Sequence, residues 1–193
     1  EGSVVEAVSR ATSSNNSFSD GIAIGTSASN PGAFEGVTLA GPDNIIFTTG
    51  DEFSIRAEGN SEVIERLRYK ISGDQIKIGR EGKNMSWGDG GKATIYVSAP
   101  ALRSAKLAGS GDMEIDAMTT DSSNLSIAGS GDIRVANIET DSLESKIAGS
   151  GDLELAGSAE SVDISIAGSG HISGKDLKAA SASISVAGSG DVE

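Results

Sequence analysis

Cysteine is absent from the 193 residues, histidine occurs once and proline three times. Without cysteine there is no disulfide, no thiol nucleophile and no structural zinc of the usual Cys/His kinds, and a Ser-His-Asp arrangement could form only around His171. Aromatic residues make up 4% of the chain, and none follows Tyr96. No apolar run approaches the roughly 18 to 20 residues that span a bilayer as a helix. Positive charge is scarce as well. Fifteen basic residues face 28 acidic ones, for a net charge of −13, which repels phosphate backbones and anionic lipid over most of the surface and excludes nucleic-acid binding.

Glycine is abundant, at 26 residues, and much of it is periodic. The pentapeptide Ala-Gly-Ser-Gly-Asp stands at 108–112, 128–132, 148–152 and 187–191, with Ala-Gly-Ser-Gly-His at 167–171, so that successive copies are 20, 20, 19 and 20 residues apart. A fixed period of this length marks a solenoid with one coil per repeat. Within the second copy Leu125, Ile127, Gly129, Gly131, Ile133 and Val135 share one parity, while Ser126, Ala128, Ser130, Asp132 and Arg134 share the other. That alternation is a β-strand with its apolar face inward. No repeat contains the 3.6-residue apolar period that a helix in each coil would need. The pattern therefore predicts an all-β parallel β-helix of about 20 residues per coil, rising by about one strand spacing, 4.8 Å, per coil. The glycines are expected on the inward face, where a side chain would obstruct the corner, and the one-residue shortening is expected within 156–161.

Three regions follow. Residues 1–30, rich in Ser, Asn, Ala and Gly, read as an N-terminal arm. Residues 31–107 read as an irregular β part of the solenoid, with strands at 37–39, 45–48, 53–57, 69–72, 75–78 and 94–97. One short helix over 62–67, capped by Asn60 or Ser61, is expected to form a lid on the first end. Leu39-Ala-Gly-Pro-Asp-Asn-Ile45 reads as a degenerate copy of Leu107-Ala-Gly-Ser-Gly-Asp-Met113. Residues 108–193 form the regular repeat half and carry the acidity, with 15 acidic and 4 basic residues against 13 and 11 before them.

Phe34-Glu-Gly-Val-Thr-Leu39, Val97-Ser-Ala-Pro-Ala-Leu102 and the five Ala-Gly-Ser-Gly copies resemble the head GIN domain family of putative autotransporter adhesins over about residues 34–193. That resemblance implies a right-handed parallel β-helix exported to the bacterial periplasm or cell surface, or secreted, with an adhesive role and no catalytic residues to carry over. It also implies further coils or a cap after the last repeat, whereas this chain stops at Glu193 partway through a coil.

Two sets of outward residues are candidate sites. Asp112, Asp132, Asp152 and Asp191, interrupted by His171, form a ladder of like charges that calcium could relieve; the plainer reading is a corner carboxylate accepting hydrogen bonds from turn amides. Ser110, Ser130, Ser150, Ser169, His171 and Ser189, with Trp87 in a polar glycine-rich loop, form a candidate interaction face for a protein or glycan at the cell surface. Adjacent carboxylates such as Asp152 and Glu154 are exposed alternates, a poor acid/base pair, so the expectation is a noncatalytic scaffold or adhesin-like module. The alternative is a glycan-binding or glycan-processing protein with its site in the N-terminal half. The incomplete last coil is expected to self-associate through an uncovered strand edge.

Overall fold

The computed structural model describes residues 18–82 and 91–193. Among the described residues, fourteen strands belong to one continuous sheet and one helix, a one-turn segment, is present. The strands are β1 Ile22–Ala23, β2 Gly36–Ala40, β3 Asn44–Thr49, β4 Ser54–Glu58, β5 Leu67–Ser72, β6 Gln75–Arg80 and β7 Thr94–Ala99. They continue as β8 Ser104–Gly109, β9 Met113–Ile115, β10 Met118–Gly129, β11 Ile133–Gly149, β12 Asp152–Gly168, β13 His171–Gly188 and β14 Asp191–Val192. The helix, α1, is Ser61–Ile64.

The repeat half is the parallel β-solenoid that the sequence predicts. Successive copies stack in register, with Ile127 beside Ile147, Ala128 beside Ala148 and Gly129 beside Gly149. Several inward files build the core, of which three show the stacking. One runs Ile78, Leu39, Leu107, Ile127, Ile147, Ile166, Val186. A second runs Ile95, Ile45, Met113, Ile133, Leu153, Ile172, Val192. A third, shorter file aligns Met118, Ile138, Gly157 and Leu177. The missing residue falls inside the expected segment. Val135 pairs with Leu155, twenty residues on, and Ile138 pairs with Gly157, nineteen on.

The glycines answer to the neighbouring coil as much as to the interior. A Cβ on Gly131, which is buried, would lie 1.9 Å from the Gly111 carbonyl oxygen and 2.7 Å from Leu107 Cδ2. Gly129 has φ of +134°, a conformation that side chains disfavour, and its Cβ would lie 2.3 Å from the Gly109 oxygen. Coils separated by one strand spacing leave no room for a side chain at either place.

In the N-terminal half, stacking order departs from chain order. β2 pairs in parallel with both β6 and β8, and β3 with both β7 and β9. The coil β2–β3 is therefore sandwiched: β8–β9 covers one side and β6–β7 the other. The degenerate copy is aligned as the sequence suggests, Leu39 beside Leu107 and Ile45 beside Met113, although these residues are 68 apart in the chain. The intervening chain folds back over the outer side and ends the parallel stack with antiparallel pairs, β5 on β6, β1 on β5 and β4 on β7. α1 joins β4 to β5 at this end, buries Val63 and is capped by Asn60, whose side chain accepts from the Glu62 amide at 2.8 Å. It is shorter than expected because Leu67 is drawn into β5, where it is fully buried beside Arg80 in register. Ile24 is buried, and Ser29 exchanges backbone hydrogen bonds with Ile55, so residues 22–30 lie along this closed end.

One buried ion pair ties the fold-back to the first coil. Asp43 stands in register with Gly111, so its side chain enters the space that the repeats keep empty. Arg80 donates Nε to Asp43 Oδ2 at 2.8 Å and Nη2 to Oδ1 at 2.7 Å, and the Ala93 amide donates to the same Oδ1 at 2.9 Å. The hydrogen bonds to Asp43 push the Arg80 guanidinium above its ordinary value against the opposing effect of burial.

Candidate interaction surface

The outward residues form straight files along the solenoid axis, since parallel pairing without slippage stacks each position on its counterpart. The corner serines are one such file. Ser110, Ser130, Ser150, Ser169 and Ser189 are exposed, and the amides of the last four donate to glycine carbonyls of the preceding coil at 2.9 to 3.1 Å. Their hydroxyls face solvent at the edge between two walls.

The aspartate file beside it works along the axis. The Asp132 amide donates to Asp112 Oδ1 at 3.2 Å, and the Asp152 amide to Asp132 Oδ1 at 3.0 Å. The file begins one coil earlier than the repeats, because the Asp112 amide donates to Asn44 Oδ1 at 3.1 Å. Asn44 was not marked by any sequence periodicity, yet the Leu39–Ile45 alignment contains it. At His171 the pattern changes: its amide donates to the Gly151 carbonyl at 3.3 Å, and the Asp191 amide to the Gly170 carbonyl at 3.2 Å. Among the described residues no group of three or more His, Asp or Glu side chains converges as a metal-binding set.

A second outward file runs parallel to it, Ile46, Glu114, Arg134, Glu154, with Ser173 next. Arg134 Nε donates to Glu154 Oε2 at 2.9 Å. Between the two files lies a shallow groove of about 280 Å³, bounded by Asp112, Asp132, Asp152 and His171 on one side and Arg134 and Glu154 on the other. These carboxylates are exposed and share a solvated surface. His171 sits 3.8 Å from Glu193, which Lys175 contacts at 2.7 Å; that lysine holds the Glu193 carboxyl below its ordinary range. Trp87 lies outside the described residues.

The first wall, built by β6, β2, β8, β10, β11, β12 and β13, differs in character. Its outward files are Thr38, Lys106, Ser126, Lys146, Ser165 and, beside them, Ala40, Ala108, Ala128, Ala148, Ala167. A groove of about 450 Å³ runs over Arg103, Lys106, Asn124, Ser126 and Lys146. Glu144 contacts Lys146 at 2.7 Å and raises the lysine above its ordinary value through that hydrogen bond.

Comparison with known proteins places this geometry. The family described as "Putative auto-transporter adhesin, head GIN domain" matches residues 33–193. A putative adhesin from Parabacteroides distasonis has a similar fold, with a TM-score of 0.58 at 15% identity, covering 86% of this chain and 94% of that one. One from Parabacteroides merdae gives 0.56 at 19% identity with the same coverage. A protein from Parabacteroides distasonis named as a putative lipid binding protein gives 0.54 at 17%, again covering 86% and 94%. No curated protein matches the chain.

Proposed function

The chain belongs to the head GIN domain family of putative auto-transporter adhesins, and on that premise we propose that it is a noncatalytic, exported interaction module of the bacterial cell envelope. The observation that carries this reading is the repetition of the outward files. Each repeat coil presents the same alanine and corner serine at the same height, with charged files beside them, so a wall is a continuous surface on which a partner meets many repeated contacts rather than one pocket. Extended concave or flat surfaces of this kind are how solenoids bind. The grooves described are open and of mixed polarity, and their carboxylates are solvated, which suits docking better than bond cleavage.

The partner in this reading is a protein or glycan of the periplasm, cell surface or surroundings. Self-association through the last coil is a part of it. Ile184 is 53% exposed and Val186 41%, while Ile164 and Ile166, one coil earlier in the same files, are buried. A second copy laid on this edge would cover them. The net charge of the repeat half opposes that contact, so association should strengthen as salt screens it.

The test is retention of the labelled, full chain on isolated envelope material and on glycan and protein arrays, with sedimentation at low and high salt for wild type and Val186→Lys. Saturable binding without turnover of any bound polymer is expected. Cleavage of a polysaccharide by the purified chain would overturn the noncatalytic reading, and a monomer under every salt condition would remove the self-association.

A further inference from the structure

The first wall carries its lysines at alternate rungs. In register along the axis, Lys77 lies beside Thr38, Thr38 beside Lys106, Lys106 beside Ser126 and Ser126 beside Lys146. Chain order hides this file, because Lys77 joins it only through the stacking of β6 outside β2. With rungs one strand spacing apart, successive lysines stand about 10 Å from one another. No carboxylate interrupts the file.

Lys77 and Lys106 are exposed and have no ion-pair partner among the described residues. Other basic residues of this side are already engaged: Arg68 with Glu81 at 2.8 Å, Arg103 with Glu35 at 3.1 Å and Lys146 with Glu144 at 2.7 Å. The alanine file flanks the lysines on one side without obstruction. On the other, Gln75, Ser104 and Asn124 stand in neighbouring register, Gln75 Nε2 donating to Ser104 Oγ at 2.8 Å, and the same file continues into Glu144 and Asp163 beside Lys146, so the uncompensated charge lies at the Lys77 and Lys106 end. Lys106, Ser126 and Lys146 border the 450 Å³ groove. In a chain of net charge −13 this strip is one place where an anion meets unpaired positive charge in register.

We propose that the Lys77–Lys106–Lys146 file binds a linear anionic polysaccharide carrying one carboxylate or sulfate per disaccharide, laid along the solenoid axis. The inference rests on the interaction-module reading above and names its surface and partner class. The file demands one negative charge for every two rungs, and a polymer of alternating acidic and neutral sugars supplies it, the neutral sugar lying over Thr38 or Ser126 within reach of their hydroxyls. A nucleic acid fits poorly, since its charges recur about every 3.4 Å along a strand. The acidic wall of a second copy fits poorly too, since its aspartates recur at every rung and would bring two strongly acidic halves together. Single exposed ion pairs are weak, so affinity should come from length, rising as an oligosaccharide spans two and then three lysines.

The experiment titrates the full chain at low salt with hyaluronan oligosaccharides of increasing length. Neutral dextran and polygalacturonate, which has a carboxylate on every sugar, serve as controls. Wild type should bind hyaluronan in preference to both controls, with an affinity that rises with length and falls with salt. The double variant Lys77→Gln/Lys106→Gln should lose roughly tenfold, in keeping with the removal of two exposed charge pairs. Glu144→Gln, which releases Lys146, should bind more tightly, and Asp132→Asn on the other wall should bind as wild type does. Thermal melts should leave the lysine variants unchanged, since both side chains are exposed. Absence of hyaluronan binding by wild type, or equal binding by the double variant, overturns the proposal. A change in sedimentation of the double variant alone, without a change in polymer binding, assigns the file to a second copy and overturns it as well. If the double variant still binds envelope material as wild type does, the lysine file is wrong and the interaction-module reading stands; if wild type binds none, the module reading itself fails.

Discussion

The first coils of this solenoid and its repeat half are built on different principles. At the N-terminal end the parallel stack is brought to a stop by antiparallel strands β4, β5 and β1, a turn of helix and a buried ion pair, and the core there holds Phe34, Phe47 and Tyr69. In the repeat half the period runs unbroken to the last coil described, where residues 178–189 are exposed. A repeat cannot close itself, because each coil is shaped to receive another like it. Closure requires sequence that breaks the period, and that sequence is what makes residues 31–107 look irregular.

Removing the ion pair should therefore have the largest effect. Asp43→Ala leaves the Arg80 guanidinium buried without its carboxylate, and the loss of one partner from such a pair typically costs about 3 to 5 kcal/mol. Denaturant unfolding should show a drop of that size, and the double variant Asp43→Ala/Arg80→Met should recover part of it. A loss below about 1 kcal/mol would show that the clamp does not hold the fold-back.

In the repeat half the tightest constraint is backbone against backbone. Gly131→Val places its Cβ into the Gly111 carbonyl, and overpacking of this sort costs on the order of 1 to 3 kcal/mol or more, whereas Ser130→Val on the exposed corner should cost little. Melting the two variants side by side decides which parity faces the neighbouring coil.

How legible was this in the sequence? The repeat half was open to reading because one period sets everything: Leu125 and Ile127 declare the inward parity, and the copies at 20-residue intervals declare the stack. The strands of the first half were legible one by one, for β2 to β7 alternate as clearly as the repeats do. Their order was not. Nothing local distinguishes a coil that stacks after β3 from one that folds back outside it, since Ile76 and Ile78 would fit either neighbour. The Asp43–Arg80 pair was equally hidden, because an aspartate in a Pro-Asp-Asn turn reads as a surface residue until register puts it opposite Gly111. The aspartate file was legible as a corner hydrogen-bond acceptor; its partners, the amides of the following coil, depend on three-dimensional stacking. The lysine file needed the same knowledge, since Lys77 precedes Lys106 in the chain by 29 residues and yet lies two rungs away.

A gain is expected where the repeat half departs from its own pattern. Ser145 occupies an inward file between Leu125 and Ile164, is fully buried, and its hydroxyl has no hydrogen-bond partner. Ser145→Val should raise stability by about 1 kcal/mol by replacing an unsatisfied polar group with a matching aliphatic one. A destabilised variant would show that the hydroxyl is in fact satisfied, for instance by an internal water.

The smallest effect is expected at the closed end, where exposed charge fastens residues 18–23. Lys70 contacts Asp20 at 2.5 Å, and that hydrogen bond holds the Asp20 carboxyl below its ordinary range. A carboxyl lowered in this way stabilises the folded state above its unfolded value, and the contribution fades as pH falls through the lower folded value. The pair is solvent-exposed, so the contribution is small and screened by salt. Amide hydrogen exchange at Ile22 and Ala23, which pair with Tyr69 and Arg68, should therefore quicken on acidification, once corrected for the intrinsic pH dependence, before exchange in the core of β10 and β11 changes. Asp20→Asn should remove the difference, leaving these two amides equally protected on both sides of the carboxylate range. If the acid response survives that substitution, the fastening lies elsewhere, in the backbone pairing of β1 with β5 alone.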